Sequence, residues 1–564
     1  MNAPRLGGAI GALVAVLLLS ACAVVPDTGP VRTSVPQAPG NDPAAVFLPN
    51  PPQDGMSPQD VVRGFVTAAS AGQDYRVAKE FLTPAFARSW RPNASVLIHA
   101  TPWGVDAADG DRVRLTVPTV AQVDGDGRYT AIPRTVSSTY QLTQVRGQWR
   151  ISDGPDQVVL TQAVFPQVFV ATQLQFFAPG YSRLVPDVRW FPRQTAAPSS
   201  SVAPSVAPAA VVQALLNGQA PMLQQVTLPV FPAGTALAAP VRTSDGVTTV
   251  SITLPGGMPS ERDTDRIQQA LAPSLGRSIA SLRLVVNGRT APVAPQPELQ
   301  QPTSSEPLVV SGGRFGALSA QGTLSEDREL GPRIVQQDPS AITVSAQQRI
   351  AAVLNGRGQV VAVTRGGTRV VDDRRDLAAP TLDQRGWIYS VPENEPGGLR
   401  VSRADGTSSD VSSELDTTGV ISIEASTDGT RLLVLRRTGA GTEAYVAGIL
   451  RDGSGRPTGL TTDRITIDVD PTATALDATW VDQSTVAVLT SNASAQNVVQ
   501  VQLGGLSTQL ALLSNARTIV GATGQQDLRV LSRTGGLLVW SPSASVWAVV
   551  TPASVDIDVL AVQR

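Results

Sequence analysis

Two residue types that carry most enzyme chemistry are almost missing from this chain. Among its 564 residues there is one cysteine, Cys22, and one histidine, His99. A structural zinc site takes four Cys or His ligands, and catalytic zinc usually needs His. A Ser-His-Asp or Cys-His mechanism could draw only on His99. That residue lies between apolar Ile98 and Ala100 and reads as a packed or surface histidine, not as a base. Carboxylate chemistry is the class left open. Asp124-Gly125-Asp126-Gly127 has the start of a calcium loop. An EF-hand also needs an oxygen ligand at its fifth position and Glu at its twelfth. Arg128 and Thr135 stand there, so the segment is expected to be a hairpin turn. Asp372-Asp373-Arg374-Arg375-Asp376 is the densest charge cluster. Paired carboxylates there could serve glycoside hydrolysis if they flanked a sugar, but a mixed-sign cluster reads as a solvated loop. Trp149, Trp387, Trp480 and Trp540 recur at strand positions and are expected to pack. No Gly-rich phosphate loop, metal box or nucleophile elbow is present. The expectation is therefore no catalytic residue, no cofactor and no metal.

The chemistry that the sequence does support is at Cys22. Arg5 precedes an apolar run, Ala9-Ile10-Gly11-Ala12-Leu13-Val14-Ala15-Val16-Leu17-Leu18, followed by Leu19-Ser20-Ala21-Cys22. Such a run is too short to span a bilayer, which takes about 20 residues. It has the anatomy of an export signal. Its end resembles the lipobox of bacterial lipoprotein signal peptides. That resemblance implies removal of residues 1–21 and acylation of Cys22 as the mature N-terminus. Each buried methylene contributes about 0.8 kcal/mol, and more than one chain gives stable anchoring. The expected location is the extracytoplasmic face of the cell membrane, with membrane lipid as the first partner.

A mature chain of about 540 residues suggests three or four domains. Hydrophobic residues make up 42%, enough for folded cores, while charged residues are scarce at 16%. The net charge of −2 gives no electrostatic reason to expect nucleic acid as a partner. Lys79 is the sole lysine among 44 basic residues. With heavy Ala, Val, Gly and Pro use, that looks like the codon bias of a GC-rich genome, such as an actinobacterium's.

Residues 22–56 are rich in Pro and Gly and read as a tether, reaching on the order of 100 Å at about 3.1 Å per residue. A first α+β domain is expected over 57–171. Ser57, Pro58 and Asp60 form a helix start with capping-box character, and Val62, Phe65, Val66 and Ala69 share a face. Asp74 is expected to cap a second helix carrying Tyr75, Ala78, Leu82 and Ala85, with Pro84 near its stop. Strands follow Trp103 and end in Gly147-Gln148-Trp149-Arg150-Ile151. Helices followed by a curved antiparallel sheet resemble the NTF2-like α+β cone. Residues 172–290 open with Phe176-Phe177 and Leu184-Val185-Pro186, then a helix over Ala209 to Leu216 with Asn217-Gly218 as its C-cap. Alternating Val250, Ile252 and Leu254, a helix with Ile267, Ala270, Leu271 and Leu275, and alternating Leu282, Leu284 and Val286 complete it. This order resembles the GerMN α+β domain, which makes 193–208 an internal loop. Residues 291–307 read as a linker.

From 308 to 564 short alternating strands recur between Gly, Asp, Ser and Thr turns. Units at Ser345, Pro380, Glu424, Ala478 and Gly521 are separated by about 36 to 54 residues, the spacing of all-β propeller blades. Glu424-Ala425-Ser426-Thr427-Asp428-Gly429 shows the recurring turn most clearly. Five or six blades are expected, the C-terminal strand closing one blade together with 308–320.

Lipobox, α+β domain, GerMN domain and propeller, in that order, resemble the LpqB family of actinobacterial lipoproteins. The resemblance implies a multidomain, non-enzymatic protein that associates with the extracytoplasmic domain of a sensor histidine kinase, MtrB. It would then modulate MtrA–MtrB two-component signalling, with effects on cell-wall homeostasis and division. Cys22 is the one functional position it carries over. Two other classes stay open: a module binding peptidoglycan or other cell-wall components, and a carboxylate-dependent glycosidase with two acidic residues facing each other in one cleft.

Overall fold

The computed structural model describes residues 49–564 apart from 73–74, 195–205, 277–280, 294–305, 346–348, 396–397, 413–417, 494, 522 and 552–554. Helix α1 (Pro58–Ser70) starts as its sequence indicates. Ser57 Oγ accepts the Asp60 N–H at 3.2 Å and donates to Asp60 Oδ2 at 2.7 Å, with Pro58 in the first turn. Val62, Phe65, Val66 and Ala69 are buried along one face.

The expected second helix is two helices. Helix α2 (Arg76–Glu80) follows Tyr75, whose φ of 56° is left-handed, and α3 (Pro84–Ser89) begins at Pro84 with Thr83 as its cap. Asp74 lies outside the described residues. Proline has no N–H and a fixed φ, so it fits the first turn of a new helix and not the interior of an old one.

Strands also begin earlier than Trp103. The first sheet contains β1 (Ser95–His99), β2 (Gly104–Ala107), β3 (Arg112–Asp124), β4 (Tyr129–Val145), β5 (Gln148–Asp153) and β6 (Val158–Thr161). Its order is β5-β4-β3-β1-β6, with β2 beside β3. The sheet is mixed, because β1 pairs parallel with β6. Val113, Leu115, Val117, Ala121 and Val123 alternate inward from β3 against α1.

The second domain opens on a hairpin, β7 (Phe169–Phe177) and β8 (Leu184–Pro192), paired along its whole length from Phe169↔Pro192 to Phe177↔Leu184. Helix α4 (Pro208–Asn217) ends at Gly218, and α5 (Glu261–Leu275) starts at Ser260, which accepts the Asp263 N–H. Parallel strands β9 (Val247–Thr253) and β10 (Ser281–Val286) bury Val250, Ile252, Leu284 and Val286 with Ile267, Ala270 and Leu271 of α5.

The rest of the described chain forms six four-stranded antiparallel blades. Blade one takes its inner strand from the chain's end: Val559–Gln563 pairs with Leu308–Ser311, followed by Arg314–Leu318 and Leu324–Glu326. Inner strands of blades two to six are Ala341–Ser345, Thr381–Leu382, Val420–Ala425, Thr474–Trp480 and Ala516–Val520. Val559–Gln563 also runs parallel to the inner strand of blade two, with Thr343 opposite Val562. One strand thus ties the last segment to the first and closes the ring.

The recurring aspartates close turns. Asp428 Oδ1 accepts from Ser426 Oγ at 2.8 Å and Thr430 N at 2.9 Å, and Gly429 beside it has a φ of 71°. Asp383 Oδ1 accepts from Arg385 N and Trp387 N, and Asp482 Oδ1 from Ser484 N. Each carboxylate satisfies backbone donors that the turn leaves unpaired.

Candidate functional site

Cys22 and its lipobox lie outside the described residues, as does the tether through residue 48. The other singled-out residues have definite places. His99 is buried at the end of β1, its Nδ1 2.8 Å from Thr101 O, so Nδ1 carries the proton. Asp124 Oδ1 accepts Asp126 N and Arg128 N at 2.9 Å each, and Arg128 Nη1 reaches Asp126 Oδ2 at 2.7 Å. The Asp124 carboxylate closes the hairpin turn, and Asp126 pairs with Arg128 within it.

Asp372 departs from the solvated-loop expectation. It is 2% exposed. Arg374 grips it through Nε and Nη2, and Ser390 Oγ donates to it at 2.6 Å from the next blade. Burial raises the Asp372 pKa, but the bonds from Arg374 and Ser390 outweigh it and hold the carboxyl below its ordinary value. A charge cluster in sequence is here an inter-blade tie, with Asp372 engaged by guanidinium, hydroxyl and backbone groups. Trp387, Trp480 and Trp540 are buried, and Trp149 is half-buried. Trp480 Nε1 donates to Glu424 O at 3.0 Å. Among the described residues no three His, Cys, Asp or Glu side chains gather as a metal-ligand set.

A second buried charge links blades across the ring. Arg564 follows the inner strand of blade one, and its N–H bonds Val344 O at 2.8 Å. Its guanidinium pairs with Glu424 on the inner strand of blade four, the blade opposite in a ring of six. Glu424 Oε1 also accepts from Thr479 Oγ1 at 3.0 Å and Trp480 N at 2.9 Å. Burial pushes Arg564 down to about 9. This pair links blade one to blade four.

The most heavily built polar feature is one that sequence reading missed. Asp187 and Arg189 sit two apart on β8, hence on the same face, in an otherwise apolar strand. Arg189 is fully buried. Its Nε and Nη2 bond Asp187 Oδ1 and Oδ2 at 3.0 and 2.6 Å. Arg189 Nη1 reaches Asp126 O at 3.3 Å in the first domain, and Nη2 reaches Gly218 O at 3.2 Å at the end of α4. Asp187 Oδ2 accepts the Ala220 N–H at 2.8 Å, and Asn217 Nδ2 donates to Asp126 Oδ1 at 2.6 Å.

Strand β8 joins three cores. Trp190 packs in the first domain's core, Leu184 and Phe191 in the second's, and Val185 in the propeller's, beside Leu433 and Trp480. Trp190 N bonds Gly127 O at 2.8 Å, while its Nε1 bonds Gly504 O at 2.9 Å in blade five. Gln173 Nε2 donates to Ser484 Oγ at 2.9 Å, Arg183 Nη2 to Gln384 Oε1 at 3.1 Å, and Arg385 Nη2 to Pro179 O at 2.6 Å. In a four-stranded meander, the loops joining strands one to two and three to four share one end. Gln384, Arg385, Ser484 and Gly504 are all in such loops. The second domain therefore docks on one face of the propeller, and the Asp372 connection lies on the other.

Comparison with known families agrees with this architecture. Residues 51–166 match the family described as lipoprotein LpqB, N-terminal domain. Residues 173–292 match sporulation and spore germination, and residues 330–558 the lipoprotein LpqB beta-propeller domain. Lipoprotein LpqB of Cutibacterium acnes is 37% identical over 191 residues, 33% of this chain and 32% of that protein. The chain thus matches about a third of the length of its first relatives. Lipoprotein LpqB of Streptomyces coelicolor is 25% identical over 96% of both chains. A nidogen–laminin complex structure aligns with a TM-score of 0.34 at 14% identity, over 45% of this chain and 97% of that one. No helix among the described residues is long and apolar enough to cross a membrane. With three domain matches in order along one chain and one relative aligned nearly end to end, the chain belongs to the LpqB family of lipoproteins.

Proposed function

We propose that this chain is a lipid-anchored, extracytoplasmic accessory protein. It binds the extracytoplasmic domain of an MtrB-type sensor histidine kinase and biases MtrA–MtrB signalling, and so cell-wall homeostasis and division. Its role on this reading is binding and not catalysis. The supporting observation is β8, which enters three cores and makes three domains one body. A body with fixed domains gives up less conformational freedom on binding than one with loose domains. A lipid tether at Cys22 keeps that body near a membrane receptor at high effective concentration. The kinase then shifts between states by the difference in its affinity for the lipoprotein in each.

The test pairs binding with output. The full-length lipoprotein, in membranes with the kinase, should crosslink to it, and deleting the lipoprotein should change phosphorylation of the response regulator. Absence of both effects, with recovery instead on purified cell wall, would replace this reading by glycan binding.

A further inference from the structure

The outer edges of the six blades are not alike. Five outer strands carry polar side chains: Leu324–Glu326, Gly367–Asp372, Ser408–Asp410, Pro457–Ile467 and Ser507–Gln509. The sixth, Val546–Val549, reads Val-Trp-Ala-Val. Val546 and Val549 are exposed, the latter at 68%. Val550 follows them, and Leu512 lies alongside at 63%, because Trp547 Nε1 bonds Ala511 O at 3.0 Å. Four of the seven large exposed hydrophobic residues among those described fall on this edge. No charged residue occurs from 534 to 555 or from 483 to 516.

The backbone points the same way. Val550 N bonds Leu537 O inward, and Trp540 N turns away to Leu528 O. With Trp540 opposite Trp547 in the register, antiparallel alternation directs the N–H and C=O of Trp547 and Val549 outward. Natural proteins blunt such edges with charge, proline or cover. This one is apolar and open among the described residues.

We infer that the outer strand of blade six is a self-association edge, pairing antiparallel with the same strand of a second copy about a two-fold axis. With the outward backbone groups on Trp547 and Val549, two-fold pairing centred on Ala548 sets Val546 against Val550 and Trp547 against Val549 of the second copy. Every pair in that register is apolar and uncharged, so the strand meets its copy without repulsion. Four residues and Leu512 make a contact smaller than a standard stable interface. The dimer is therefore weak in solution and favoured where anchored chains are concentrated on a membrane.

The scarcity of cysteine makes the test direct. Full-length chains with Val546→Cys, Ala548→Cys or Val549→Cys are treated in cells with a short thiol crosslinker, the parent chain setting the background. Ser507→Cys on the outer strand of blade five is the control. A species of twice the chain's mass, at least five-fold more abundant from the blade-six positions than from Ser507→Cys, is expected. Adding Val546→Lys to the Val549→Cys chain should abolish it. Equal yields at position 507, no dimer at any position, or products only of another mass, as a different partner strand would give, each overturn the inference. Circular dichroism of each variant checks that the fold persists.

Discussion

Removing Arg189 tests whether β8 locks the domains together. Arg189→Met keeps the aliphatic bulk but deletes the guanidinium that bonds both Asp187 oxygens, Asp126 O and Gly218 O. Asp187, 6% exposed, is left with the Ala220 N–H. Breaking a buried pair from one side costs about 3–5 kcal/mol, because a desolvated charge loses its partner. The first two domains together are large enough that each kcal/mol moves a midpoint by about 2–4 °C, so their melting should fall by about 6–20 °C. Calorimetry reads this, and amide exchange around 124–128 and 217–220 locates it. The paired variant Asp187→Leu/Arg189→Met removes both charges and should recover at least half of the loss, since apolar replacement of a buried pair is often near neutral. A fall below about 3 °C in the single variant, well under that range, would show that the pair does not hold the junction. A double variant as damaged as the single one would assign the effect to packing.

Three further outcomes are expected. Gly127→Ala should destabilise the same junction by about 1–2 kcal/mol or more, since Gly127 has φ +78° and a Cβ would stand 2.7 Å from Trp190 O; denaturant unfolding measures it, and an unchanged midpoint would contradict the contact. Burial pulls the Asp428 pKa up, but Arg431 and Thr430 outweigh it and the folded value is depressed, so its contribution is full above the unfolded value and lost as pH falls through the folded one. Asp428→Asn should flatten the loss of stability between neutral and acid pH, and an identical acid slope would refute the assignment. Cys22→Ser should leave melting unchanged while moving the chain out of the membrane fraction; retention there would count against the lipid anchor.

Local signals in the sequence reached the structure, as did the closure of blade one by the C-terminal strand that the repeat implies, whereas other long-range contacts did not. Ser57-Pro58-Gln59-Asp60 names its own helix start because cap, proline and acid act within one turn. The Ser-x-Asp-Gly turn announces blades because Asp428 bonds groups only a few residues away. By contrast, the apolar pattern from Tyr75 to Ala85 suggests one helix ending near Pro84, where the proline instead starts a new one. The parallel pairing of β1 with β6 joins segments about sixty residues apart through an apolar run, Val158-Val159-Leu160, that has no period to read. The charges around Asp372 suggest water, whereas Arg374 folds back onto it and Ser390 reaches it from the next blade. The pair of Arg564 with Glu424 crosses the ring and leaves no local trace.

Asp187-Val188-Arg189 was legible in principle. In a strand, residues two apart share a face, so opposite charges at that spacing inside Leu184–Pro192 can only be buried together or exposed together. The neighbours Val185, Val188, Trp190 and Phe191 leave no solvated face, which decides for burial. That strand explains why the Pro-rich tether and the folded body divide the work on the proposed reading. A tether gives reach without orientation. The strand supplies orientation by placing Trp190, Phe191 and Val185 in three cores at once. No domain can then rotate without opening a core, so a partner that reads two domains meets them at a fixed spacing.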